Sequence, residues 1–185
     1  MGAAMARSKA NPQIVLRPQD VVVLLRLAVG RDAIPTYAVL AAELGMTASE
    51  IHAAIERSVV AQLAIKETNG KPRVLRPILR QFLQHGARYC FPPTRGSLTR
   101  GLPTGYAAAP LNEKIRASSD PVPVWPYKDG TVRGMALYPL YPSVPGAAAR
   151  NPALYELLAL FDAVRDGNAR ERALAIDLLD KRLTA

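Results

Sequence analysis

The stretch TYAVLAAELGMTASEIHAAIERSVVAQL, residues 36–63, constrains the fold more than any other part of this chain. Tyr37, Leu40, Ala41 and Leu44 recur at spacings of three and four, so a short helix here has one apolar face that must be buried. Gly45 then ends it, because glycine takes a positive φ without steric cost and lets the chain turn at once. Met46 plugs the angle between this helix and the next. Thr47 and Glu50 have the spacing of a capping box, which opens a second helix at Ala48. Its inward face is Ile51, Ala54, Ile55 and Val59, leaving Ala48, Ser49, His52, Ala53, Glu56 and Arg57 outside. Taken alone, such a pair is more often an ordinary helical hairpin within a larger core.

The flanks change that balance. Pro18-Gln19-Asp20 followed by VVVLLRLAV supplies an earlier helix of about ten residues, apolar on nearly every side except Arg26 and suited to the middle of a three-helix core. Downstream, LAIKETNGKPRVL reads as strands over Ala64 to Glu67 and Arg73 to Leu75, joined around the hairpin dipeptide Asn69-Gly70. Lys66, Lys71 and Arg73 cluster on this hairpin with only Glu67 opposing, placed to meet a phosphate backbone.

Helix, helix, turn, helix and hairpin over residues 19–75 resemble the winged helix-turn-helix domain of bacterial transcription regulators. Leu40-Ala41, Leu44-Gly45-Met46, Ser49, Ile51, Ala54 and Arg57 are similar to a run found in many of them. The resemblance implies double-stranded DNA as partner and a homodimer, since such proteins commonly bind as two-fold dimers. It also implies DNA contacts from Thr47, Ser49, His52 and Arg57, with Lys66, Lys71 and Arg73 acting from the wing. One departure bears on specificity. The second helix of the pair has no outward Asn or Gln and no Arg in its first turns, so the usual two-pronged partners of adenine and guanine are missing. Base discrimination is then expected to be modest, or to come from the wing and from DNA shape.

Charge agrees with a polyanion partner. The formal net charge is +9, and residues 1–100 hold 14 Lys and Arg against 6 Asp and Glu, while residues 101–185 hold 10 against 9. A membrane partner is disfavoured, because the longest apolar run, Val21 to Leu25, is far short of a span. Residues 1–10 lack the apolar core of a signal peptide, and Gly2 lacks the setting of a myristoylation site, so a cytoplasmic location is expected. Cys90 is the only cysteine and excludes an intrachain disulfide; between Tyr89 and Phe91 it reads as a small buried hydrophobe. With only two histidines besides, no zinc site is legible, and there is no phosphate loop, GxSxG or HExxH. Hence no catalytic residue, metal or cofactor is expected. The rival readings are a protein-interaction module, antitoxin-like or an adaptor, and an RNA-binding protein.

Beyond the hairpin, Arg76 to Gln84 reads as a helix with Pro77 in its first turn, stopped by His85-Gly86. Between Pro92 and Gly146 fall 10 of the 16 prolines and 6 of the 12 glycines, which excludes regular helices through most of it. Tyr106, Trp125, Tyr127, Tyr138 and Tyr141 nonetheless give it mass to pack. The expectation is an extended wrapping region with short strands near Arg88 to Phe91 and Thr131 to Leu137, and a turn at Asp129-Gly130. The run Asp120-PVPVWPY either lies along its own domain or presents an extended ligand to a partner. Arg95-Gly96, Arg100-Gly101 and Arg133-Gly134 suit phosphate or a partner carboxylate, and plain turns equally. Asn151-Pro152 and the pair Asn168 and Glu171 open two C-terminal helices joined at Gly167, a hairpin that closes its own core or pairs with a second copy.

The expected class is α+β, mainly α with a small β wing. The expected division is a flexible arm over residues 1–17, a winged helix-turn-helix domain over 18–88, and an assembly or partner-binding region over 89–185. The last comprises the proline-rich part, 91–150, and the helical hairpin, 151–184.

Overall fold

The computed structural model describes residues 14–30, 34–115 and 121–184, and nearly all of the expected N-terminal arm lies outside them. The fold is mixed α+β. Its first helix, α1 (Pro18–Val29), is buried from Asp20 to Ala28, as its all-round apolar sequence requires. α2 (Tyr37–Leu44) is capped by Thr36 and ends at Gly45, whose φ of 62° is the left-handed turn expected there. α3 (Ala48–Val60) opens with the Thr47–Glu50 capping box and buries Ile51, Ala54 and Ile55. Ser58 takes the fourth inward place instead of Val59, its hydroxyl donating to the Ala54 carbonyl at 2.7 Å. Strands β1 (Ala64–Lys66) and β2 (Pro72–Val74) follow as an antiparallel hairpin with Gly70 at positive φ in its loop.

The next segment differs from expectation. α4 (Arg76–Gln81) does not stop at His85-Gly86; it passes through a π-helical turn, Phe82–Gly86, into α5 (Ala87–Cys90). The extra residue in that turn keeps Leu79, Leu83 and Ala87 on one buried face, and this burial outweighs the roughly 1 kcal/mol that a glycine costs inside a helix. The strand expected over Arg88 to Phe91 is therefore helical. Cys90 is exposed rather than buried, because Ala87 and Phe91 occupy the inward positions of the last turn.

The proline-rich region is ordered as a small closed sheet. β3 (Arg95–Pro103) pairs antiparallel with β5 (Val132–Leu137) along one part and with β4 (Pro123–Pro126) along the other, while β4 and β5 are parallel. So tight a closure needs glycine where backbones touch. A Cβ on Gly101 would lie 2.0 Å from the Trp125 carbonyl oxygen, and one on Gly134 would lie 2.1 Å from that of Val122. The PVPVWPY run lies within this sheet, with Val124 and Trp125 buried.

After α6 (Val144–Arg150), the helices α7 (Pro152–Asp166) and α8 (Ala169–Thr184) form the expected hairpin. Asn151 caps α7 through Leu154 N at 3.0 Å, and Asn168 and Glu171 exchange the bonds of a capping box. α7 is the hub. It is buried on nearly all sides and packs against α1, α6 and α8, so one hydrophobic cluster runs from Val21 through Leu40, Ile51 and Leu79 to Trp125, Phe161 and Leu179. The expected boundary at residues 88 and 89 does not divide the core. Among the described residues no helix is long and apolar enough to cross a membrane.

Candidate nucleic-acid interface

The outer side of α3 is an open helical surface beside a cationic hairpin. Thr47, Ala48, Ser49 and His52 are exposed, while the opposite side of α3 packs on α1 and α2. The Thr47 hydroxyl is engaged in the cap: it accepts from Glu50 N at 3.2 Å and donates to Glu50 Oε2 at 2.9 Å. Ser49 is free of such a role among the described residues. His52, its side chain 59% exposed, has its ring edge against Tyr37 at 5.9 Å and Nε2 3.6 Å from Glu56 Oε1.

Arg57 departs from the expected outward position. It turns inward, where Nε and Nη2 donate to Asp20 Oδ2 and Oδ1 at 2.8 and 2.6 Å. Asp20 is fully buried and also accepts from Arg17 N at 2.8 Å, so one carboxylate caps α1 and clamps it to α3. The physical reason is desolvation: a buried carboxylate needs a paired cation, and Arg57 borders the apolar stripe on a side chain long enough to reach it. This interaction raises the Arg57 pKa further, through the hydrogen bond to Asp20.

The hairpin cations are partly neutralised. Lys66 pairs with Glu56 of α3, which holds the Glu56 carboxyl below its usual range and raises the lysine. Arg73 pairs with Glu67 at 3.1 Å. Lys71 is exposed and makes no ion pair among the described residues. The hairpin packs on α3 through β1, so Lys66, the outer side of α3 and the loop at Gly70 share one region.

Three contributors were not legible in the sequence. Tyr141 donates to Glu50 Oε1 at 2.5 Å and keeps that carboxyl below its ordinary range, while its own hydroxyl is pushed up. Ser143 Oγ donates to the Leu44 carbonyl at 2.5 Å, and Arg150 Nη2 to that of Glu43 at 2.9 Å. The segment leading into α6 and the end of α6 thus brace the end of α2 and the start of α3 without covering Ser49 or His52. Contacts separated by about a hundred residues leave no local pattern.

A cavity of about 500 Å³ between β5 and the α7–α8 turn is lined by Asp162, Asp166, Glu171 and Arg95, among others. Its carboxylates are engaged. Asp162 accepts from Thr104 Oγ1 at 2.8 Å, Trp125 Nε1 at 2.6 Å and Arg165 Nη2 at 2.9 Å; Asp166 pairs with Arg95 at 2.8 Å; Glu171 caps α8. Burial pushes the Asp162 carboxyl up against the pull of those donors. Among the described residues no group of His, Cys, Asp and Glu converges as a metal site. Comparison with protein-family models, curated proteins and solved structures returned no match to this chain.

Proposed function

We propose that this chain is a DNA-binding transcription regulator in which α1 to α3 and the β1–β2 hairpin act as a winged helix-turn-helix. The observation that carries the reading is the open outer side of α3 at Ala48, Ser49 and His52, on a helix otherwise packed into the core, with a cationic hairpin against it. Small side chains at the start of α3 allow close approach to a major groove, and Ser49 and His52 are the groups available to base edges. Thr47 is kept for the cap. Lys71 supplies the readiest phosphate contact. Lys66 and Arg73 can exchange Glu56 and Glu67 for phosphates cheaply, since exposed ion pairs are screened by water and contribute little. Arg57 serves the core instead. A pairing of two copies on DNA has no open apolar face on α1 or on the α7–α8 hairpin to use, because both close the internal core.

The test is a salt series of binding to duplex DNA with the full chain and with Lys71→Ala/Arg73→Ala. The variant should bind more weakly to every sequence, with the slope of log K against log salt reduced by about one unit per lost phosphate contact. An unchanged slope removes the hairpin from the interface. Structured RNA competing better than duplex DNA would replace the partner.

A further inference from the structure

The register of β3 against β5 sets Arg100 directly opposite Arg133, two residues from the pair Leu98 and Met135. Cross-strand partners project from the same face, so the two guanidinium groups emerge side by side. Both residues are exposed, and among the described residues neither makes an ion pair. Elsewhere in the fold Arg26, Arg57, Arg95 and Arg165 are each set against a carboxylate. Like charges facing each other across two strands oppose folding, a cost that a bound anion removes. A shallow groove of about 310 Å³ lies over this face, lined by Leu98, Thr99, Arg100, Thr131 and Arg133. On this face its polar side chains are two guanidinium groups and the Thr131 hydroxyl, since Thr99 alternates to the other side and donates to the Arg100 carbonyl at 3.4 Å; no carboxylate lines the groove, and among the described residues Asp129, in the preceding turn, makes no ion pair to either arginine.

From this arrangement we infer a phosphate-binding site on the outer face of the β3–β5 pair, held by Arg100 and Arg133 with Thr131 at its edge. Phosphate fits better than carboxylate. Two guanidinium forks offer more N–H donors than two carboxylate oxygens accept, whereas a phosphate group brings more oxygens and up to twice the charge. The site lies on different elements from α3 and does not depend on the reading of α3 as a DNA-binding helix. The phosphate can belong to a nucleic-acid backbone or to a free phosphate compound.

The experiment follows backbone amide NMR shifts of the full chain on adding inorganic phosphate, against chloride at equal ionic strength, with the melting temperature measured in parallel. Saturable shifts at residues 98–101 and 131–134, with a rise in Tm specific to phosphate, are expected. Arg100→Gln/Arg133→Gln should lose both responses while melting in chloride at or above the wild-type temperature, because the repulsion is gone. No saturable shift in the wild type, or shifts that persist in the variant, would overturn the site. A short duplex DNA then replaces phosphate. Shifts at the same amides assign the site to a nucleic-acid backbone, and a response to phosphate without one to DNA assigns it to a free phosphate compound; either upholds it.

Discussion

Arg57 illustrates how far a residue's position can be read from spacing. Helical periodicity placed it outside, yet its long side chain reaches back to Asp20. That Asp20 would be fully buried depends on what covers the start of α1, and no local pattern carries it. Removing one partner of such a pair leaves a buried charge, so Arg57→Ala should lower stability by about 3–5 kcal/mol, measured as a shift of the urea midpoint. Arg57→Lys should restore little, because an ammonium cannot make the two-pronged contact. The salt dependence of DNA binding should be unaffected by either. Tyr155 offers a test in alkali: burial pushes its hydroxyl from 10.0 to about 12, and it donates to the Pro103 carbonyl at 2.6 Å. Between those values the unfolded chain has lost a proton that the folded chain keeps. Stability therefore falls as pH rises from 10 towards 12. Tyr155→Phe should flatten that decline in chemical denaturation measured across the range.

Among the elements, α1, α2, α3, α7 and α8 were legible because their signals are local: apolar residues at three and four, a cap at the start, glycine at the turn. Failures occurred where a distant surface decides. Gly86 reads as a stop, but the helix continues through it because Leu83 and Ala87 find a core on one side. The proline-rich region announces only that it is not helical; β3 and β4 pair across more than twenty residues, so neither the pairing nor the closure of the sheet can be read from spacing. What the closure does require is glycine where backbones touch, at Gly101, Gly130 and Gly134. Gly134→Ala would drive a Cβ to 2.1 Å from the Val122 carbonyl oxygen, and backbone cannot give way as a flexible side chain would. The expected cost is about 4 kcal/mol or more, seen as a large drop in melting temperature or failure to fold.

At the scale of the whole molecule, α7 decides what the chain is. It packs against α1 as well as α8, so the central helix of the N-terminal part relies on a helix more than a hundred residues later for part of its burial, and α2 and α3 pack on that central helix or on each other. A chain ending after Phe91 should therefore lack native dispersion in its NMR spectrum, and the full chain should unfold in one cooperative transition whether followed by Trp125 fluorescence or by helical circular dichroism. Separate transitions would show that the halves hold their own cores after all. From its residues alone, the chain determined its capped helices, the cationic hairpin and the excess positive charge, because these depend on neighbours within a few turns. Which cations remain available, which helix lies at the centre, and how the strands close were decided only by tertiary packing, since desolvation and contact act between groups that the chain's order keeps apart.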